Sequence, residues 1–175
     1  MTHPKVTIAQ LEMEPPREFR SLDPRLAPDY DPLWWRDNHP LGLHGLAYTT
    51  VITKDLDRAT HIYADVLGGT VLERSTSTLT GTEDIYVRVG EAVVQLSLPT
   101  EADTIAGRDL ATNGEAHHAA AFRVEDLDAA EKYLASKGIE TESRDDDTIL
   151  SRPETTHGVP FRWTTRRVPG DTFRD

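Results

Sequence analysis

Arginine, tyrosine, amide and hydroxyl side chains recur at every second position of several short segments. In Ile85-Tyr86-Val87-Arg88-Val89 the apolar residues alternate with Tyr86 and Arg88, which therefore share one face of a strand. In Val93-Val94-Gln95-Leu96-Ser97-Leu98 the same phase sets Val94, Leu96 and Leu98 against Gln95 and Ser97. In Pro160-Phe161-Arg162-Trp163-Thr164 it separates Phe161 and Trp163 from Arg162 and Thr164. Tyr48 and Thr50 alternate in another such run, and His117 is in phase with Ala119 and Ala121. One bulged residue would exchange His117 for His118. A guanidinium stays cationic and matches carboxylate or phosphate bidentately, so two of them among polar groups suit an anionic or carbonyl-rich small molecule. The alternative is that Arg88 and Arg162 pair with local carboxylates such as Glu73 or Glu142.

These segments need a frame that brings them together. From Leu46 to Gly69 the chain reads strand, helix, stop. Tyr48-Thr49-Thr50-Val51-Ile52-Thr53 is rich in β-branched residues, and Asp55 is placed to cap a helix. Leu56, Ala59, Ile62, Tyr63, Val66 and Leu67 then follow the spacing of one buried helical face, and Gly68-Gly69 ends it. The same pattern returns about seventy positions later. Asp55-Leu56-Asp57-x-Ala59 matches Asp126-Leu127-Asp128-x-Ala130, after the strand Ala119 to Val124 and before a stop at Gly138. In each copy three more strand-like segments follow the helix. The expectation is an α+β domain of two β-α-β-β-β modules, about 44–99 and 115–170, within a domain spanning 44–175. A polar linker near 100–114 would hold at most one helical turn around 104–110.

Residues 1–43 differ in kind. Prolines recur as Pro15-Pro16, Asp23-Pro24, Ala27-Pro28, Asp31-Pro32 and His39-Pro40, which interrupts both helix and ladder. Leu33-Trp34-Trp35 inside this Pro-rich arm predicts that it is pinned to the domain or to a partner chain. The net charge of −11 argues against a nucleic-acid partner. No apolar run approaches membrane-spanning length, and the absence of cysteine excludes disulfides and a thiol nucleophile. A cytoplasmic location is expected. His61, on the helix, and His157, in a turn, read as structural or solvated.

Two β-α-β-β-β halves, with Asp55-Leu56-Asp57-x-Ala59-x-x-x-Tyr63-x-x-x-Leu67-Gly68-Gly69 and Phe122-Arg123-Val124-Glu125-Asp126-Leu127-Asp128-x-Ala130, resemble the vicinal oxygen chelate superfamily. That group includes glyoxalase I, extradiol dioxygenases, methylmalonyl-CoA epimerase and bleomycin-resistance proteins. The resemblance covers residues 46 to about 167. It implies a mixed sheet curled into a cup, helices on the convex side, a site inside the cup, and often a homodimer and a divalent metal. Where the family's metal-binding members carry His or Glu, this sequence has Tyr48, Gln95 and Arg162, with His117-His118 displaced by one or two positions. The ligand set implied is therefore thin: His118, Gln95 and, if the first strand starts early, His44. The cofactor is either absent or a single divalent metal. The resemblance implies an enzyme of isomerase, epimerase, lyase or dioxygenase type, with His118 as base and Tyr48 and Arg162 beside it. Tyr86, Arg88, Gln95, Ser97, His117 and Thr164 would line the substrate site. The alternative is a non-catalytic protein that sequesters a drug or metabolite.

Overall fold

The computed structural model describes residue 31 and residues 33–170. Asp31 Oδ1 accepts from the Leu33 amide at 2.9 Å, and a short helix α1 (Trp34–Asn38) follows. Trp34 and Trp35 keep 48% and 51% of their surface exposed in the single chain, so neither indole is buried there as the pinned-arm reading expects.

The remaining elements in order are β1 (Leu43–Ile52), α2 (Leu56–Thr60, continued as a π-helix over His61–Val66), β2 (Thr70–Ser77), β3 (Thr82–Val89), β4 (Ala92–Pro99), α3 (Ile105–Asn113), β5 (Ala116–Val124), α4 (Leu127–Ser136), β6 (Thr141–Arg144), β7 (Thr148–Ser151), a single 3-10 turn (Pro153–Thr155) and β8 (Phe161–Thr164). The eight strands form one sheet in the order β2-β3-β4-β1-β5-β8-β7-β6. β1 runs parallel to β4 and β5 parallel to β8, while β1 and β5 are antiparallel to each other. The arrangement of one module is thus repeated in the other across the β1–β5 seam, and the sheet curls into the expected half-barrel.

The two repeated helices, α2 and α4, pack on the outer face through the shared motif. Asp55 Oδ1 accepts from the Arg58 amide at 2.9 Å, and Asp126 Oδ1 accepts from the Ala129 amide at 2.8 Å. Ala59 joins Ile85, Val87, Val94 and Leu96 in one core, and Leu127, Ala130 and Leu134 join Val124, Ile149 and Trp163 in the other. The Ile85/Val87 and Val94/Leu96 phases therefore fall outward as expected, and their polar neighbours fall inward.

Two local details depart from the reading. The α2 helix widens into i→i+5 bonding, with the Leu67 amide reaching Ile62 O at 3.0 Å. That changes the phase of the apolar stripe, so Ile62, Val66 and Leu67 are exposed rather than buried. At Gly69 a Cβ would lie 2.5 Å from Tyr63 O and 2.8 Å from Val87 Cγ1, so only glycine lets the chain leave the helix so close to β3. The linker holds more than one turn: α3 is capped by Thr104, whose Oγ1 accepts from the Gly107 amide at 3.0 Å.

Candidate functional site

The inner face of the sheet gathers Tyr48 and Thr50 from β1, Asp84 and Tyr86 from β3, Gln95 and Ser97 from β4, and Arg162 and Thr164 from β8. All are nearly or fully buried. Gln95 sits at the junction of the modules. Its Oε1 accepts from Thr50 Oγ1 at 2.7 Å and from Arg162 Nη1 at 2.5 Å, and its Nε2 donates to Tyr86 Oη at 2.8 Å. Tyr48 meets Tyr86 edge-on, ring centroids 5.2 Å apart. A cavity of about 180 Å³ lies against this network, lined by Tyr48, Asp84, Tyr86, Gln95, Arg162 and Arg166 among others.

Two charged groups facing this network have hydrogen-bonding capacity left over. Arg162 is 3% exposed, and its Nε and Nη2 are buried without a partner. Asp84 accepts from Ser97 Oγ at 2.5 Å through Oδ1, but its Oδ2 is buried without a partner. Burial pushes the Asp84 carboxyl above the usual carboxylate range, opposed by the Ser97 hydrogen bond and by the positive charge of Arg162. Burial also pushes the Tyr86 phenol upward, with Tyr48 and Asp84 adding to the rise. Arg166, beyond β8, donates to Tyr86 Oη at 2.9 Å and pairs with Glu73 at 2.6 Å. Of the carboxylates offered as alternative partners for Arg162, Glu73 pairs with Arg166 and Glu142 with Arg152.

His118 occupies an adjoining cavity of about 170 Å³, which shares Leu79 and Thr80 with the first. The β1–β5 register pairs Thr50 with Ala119 but Val51 with His117, so His118 is the bulged residue. The bulge buries His118 and leaves His117 exposed, which removes His117 from the substrate-lining set. His118 Nδ1 is bonded to Asp109 Oδ2 at 2.5 Å. Burial lowers the imidazole pKa and Arg162 lowers it further, against the opposing pull of Asp109.

Other residues fall elsewhere. Arg88 donates to Gly170 O at 3.0 Å and does not line the cavity, because the C-terminal segment returns across this end of β3. Val168 of that segment packs with Tyr48, Tyr86, Val93 and Ala121. Thr164 is fully buried and bonds Thr148 Oγ1 at 2.9 Å and Asp147 O at 2.8 Å, so it braces the wall without lining the cavity. Ser97 acts through Asp84. His44 bonds Glu125 at 2.6 Å in a separate depression with Arg36, Arg123 and Arg167.

These positions do not fit a divalent metal. A fixed cation, Arg162 Nη1, already holds the Gln95 oxygen, while His118 and His44 are engaged with different carboxylates in different places. Among the described residues no three His, Cys, Asp or Glu side chains converge. Nor, among them, is any helix long and apolar enough to cross a membrane.

Sequence phase located Tyr48, Tyr86, Gln95 and Arg162. It missed Asp84, which lies one step earlier in the same phase as Tyr86, because the strand begins at Thr82 while the alternation of apolar residues begins only at Ile85. It missed Asp109 and Arg166, which lie outside alternating segments.

The family model described as Glyoxalase/Bleomycin resistance protein/Dioxygenase superfamily matches residues 45–161. A methylmalonyl-CoA epimerase from Mycobacterium tuberculosis is similar at 26% identity and a TM-score of 0.63, over 70% of this chain and 87% of that one. A methylmalonyl-CoA epimerase in complex with methylmalonyl-CoA and NH4+ is similar at 24% identity and 0.64, over 73% and 98%. A Streptomyces coelicolor methylmalonyl-CoA epimerase variant in complex with 2-nitronate-propionyl-CoA is similar at 24% and 0.63, over 69% and 96%. No curated protein matches the sequence.

Proposed function

The chain belongs to the Glyoxalase/Bleomycin resistance protein/Dioxygenase superfamily, and from that premise we propose that it is an isomerase- or epimerase-type enzyme. It moves a proton beside a carbonyl of a small anionic metabolite and needs no divalent metal to do so. One observation carries the reading: Arg162 and Asp84 are both buried, both face the network at the module junction, and both retain unfilled hydrogen-bonding atoms. Three similar structures are methylmalonyl-CoA epimerases, two of them holding acyl-CoA ligands, and they support the reaction type.

The side chains divide the work as follows. Gln95 fixes the guanidinium through Nη1, which leaves the Nε–Nη2 edge for the substrate. That edge presents two N–H donors side by side, the geometry a carboxylate or an enolate oxygen accepts. A proton leaves the carbon next to the carbonyl as negative charge grows on the oxygen, and the charge is met by donors already in place. Asp84 is the base, since burial strengthens it as a proton acceptor and Oδ2 is available. Returning that proton to the face it left only regenerates the substrate, so the reaction is completed by a proton delivered to the opposite face of that carbon, for an epimerisation, or to a different carbon of the enolate, for an isomerisation. Tyr48 shapes the cavity wall, and His118, held by Asp109, is a further proton carrier in the adjoining cavity.

The test is solvent-deuterium exchange into small carboxylates and acyl thioesters, followed by NMR with the purified protein after metal removal by a chelator. Exchange should persist without metal. Arg162→Ala should weaken ligand binding by roughly 1.5–3 kcal/mol, the usual worth of a hydrogen bond to a charged group. Arg162→Lys should recover little, since one ammonium cannot reproduce the two-donor edge. Tight binding with no exchange in any compound would establish the sequestering alternative instead. Exchange restored only by added metal would overturn the metal-free reading.

A further inference from the structure

The rim of the Arg162 cavity is built from the same turn of each module. The β2–β3 turn of the first and the β6–β7 turn of the second hold equivalent places in the repeat, and residues of both line the cavity. Ladder register fixes what β2 presents there. Ser75 lies opposite Asp84 and Ser77 opposite Thr82, and residues opposite one another on antiparallel strands share a face. Both serines therefore stand on the inner face with Asp84. Thr80 follows in the turn, its Oγ1 2.7 Å from Thr82 Oγ1. On the other side of the opening, Asp145 Oδ1 accepts from the amides of Asp147 and Thr148 at 3.1 and 2.8 Å. Asp147 Oδ1 accepts from Thr148 Oγ1 at 2.8 Å. Each aspartate thus fixes its own turn with one oxygen, and no side chain or amide among the described residues holds the other.

We propose that the ligand of this cavity is a small hydroxylated monocarboxylate, seated by its carboxylate on the Nε–Nη2 edge of Arg162 and read through its hydroxyl groups by the rim. This rests on the reading of Arg162 given above and names the substrate class of that site. The cavity of about 180 Å³ has room for about six waters at roughly 30 Å³ each. That suits a compact acid of about three or four carbons rather than a ligand of drug size.

Charge limits the ligand to one carboxylate. Arg166, the second cation of the lining, is paired with Glu73 at 2.6 Å. Arg162 is left facing three carboxylates, those of Asp84, Asp145 and Asp147, and a second negative charge on the ligand would be repelled by them. Hydrogen bonding specifies the hydroxyl groups. The rim mixes acceptor-only carboxylates with serine and threonine hydroxyls, which both donate and accept. A ligand hydroxyl answers both kinds, whereas an ammonium only donates and a methyl group does neither. Among the described residues Leu79 is the one aliphatic side chain in the lining, so an unsubstituted hydrocarbon chain finds little apolar wall.

Binding can be measured by calorimetry with four probes of similar size: propionate, racemic glycerate, malonate and β-alanine. Glycerate should bind the wild type at least about tenfold more tightly than propionate, one step on the affinity scale for the hydroxyl contacts. Malonate, with a second carboxylate, and β-alanine, with an ammonium, should both bind more weakly than glycerate. Asp147→Asn removes one rim charge and keeps an oxygen for Thr148, so it should lower glycerate affinity at least about threefold and raise malonate affinity. Ser75→Ala, on the edge strand β2, repeats the glycerate test without touching the β6–β7 turn. Equal binding of glycerate and propionate, or a glycerate gain untouched by both variants, overturns the hydroxyl-reading rim. Malonate binding more tightly than glycerate overturns the limit to one carboxylate, and β-alanine binding more tightly than glycerate makes the rim a seat for cations instead. Failure of all four probes to bind, or binding of glycerate and propionate unaffected by Arg162→Ala, overturns the Arg162 seat itself, which separates the failure of that reading from the failure of this one.

Discussion

At Asp84 the proposed role as a base and the stability of the fold pull in opposite directions. A buried carboxylate is a stronger base but a costly one to keep ionised, because burial disfavours the charged form more than Ser97 and Arg162 favour it. Its folded-state pKa lies above the ordinary value, so the folded state is penalised at pH values where Asp84 is ionised. The penalty is absent below the unfolded pKa of about 3.9, where the group is protonated in both states. Asp84→Asn should therefore melt at a higher temperature than wild type at pH 7, with the difference shrinking toward zero as the pH falls below the ordinary Asp range. The same variant should lose roughly 10²- to 10⁴-fold in proton exchange, the usual contribution of a positioned base. Thermal melts across pH, set beside the exchange rate, check both halves; a less stable variant at pH 7 would refute the dominance of burial. Strand phase made Tyr48, Gln95 and Arg162 legible because each lies inside a regular alternating run. His118 required a bulge, which shifts phase without a distinctive residue type to mark it. Arg166 required knowing that the chain turns back over the inner face after β8, and no periodicity records that.

Among the elements, those set by short local codes followed the sequence. Both aspartate caps and the repeated strand–helix order appear where the repeat put them, because a cap needs only neighbouring amides. Elements whose shape depends on packing did not. The π-turn at residues 61–66 and the full length of α3 come from how these segments meet the sheet. Glu115 shows the same dependence. It lies just before β5, yet it accepts from Thr53 Oγ1 at 2.6 Å and the Lys54 amide at 2.9 Å, and it pairs with Arg58. It thereby ties the end of β1 and the start of α2 to the second module. Arg58, then Thr53 and Lys54, pull the Glu115 pKa down to about 2. A depressed folded-state pKa contributes stability that is present above the unfolded value and lost as pH falls through the folded one. Glu115→Gln should accordingly lower stability at pH 7 in denaturant titrations. The gap to wild type should close between about pH 4.5 and pH 2. A gap that persists unchanged at pH 2 would mean the carboxylate charge is not the tie.

At the scale of the molecule, the repeat in the sequence revealed the two modules, but nothing in it showed how they join. The structure joins them along β1 and β5 in one continuous sheet, and again at the site, where Gln95 of the first module holds Arg162 of the second. In a separate module the first strand would keep only its parallel partner, β4 for β1 and β8 for β5, and would expose the edge that is paired across the seam here. The modules should therefore unfold together. Leu96 tests this, because it is fully buried in the core of the first module, far in sequence from Trp163 in the core of the second. Leu96→Ala should cost about 2–5 kcal/mol, the range for a buried leucine deletion. In a background with Trp34 and Trp35 replaced by Phe, Trp163 is the only indole left to report. The denaturation midpoint seen by its fluorescence should fall as far as the midpoint seen by far-ultraviolet circular dichroism, as two-state unfolding requires. A Trp163 transition left in place while the dichroism signal splits in two would show that the modules are separate folding units, and that the Gln95–Arg162 contact joins two bodies with independent stability.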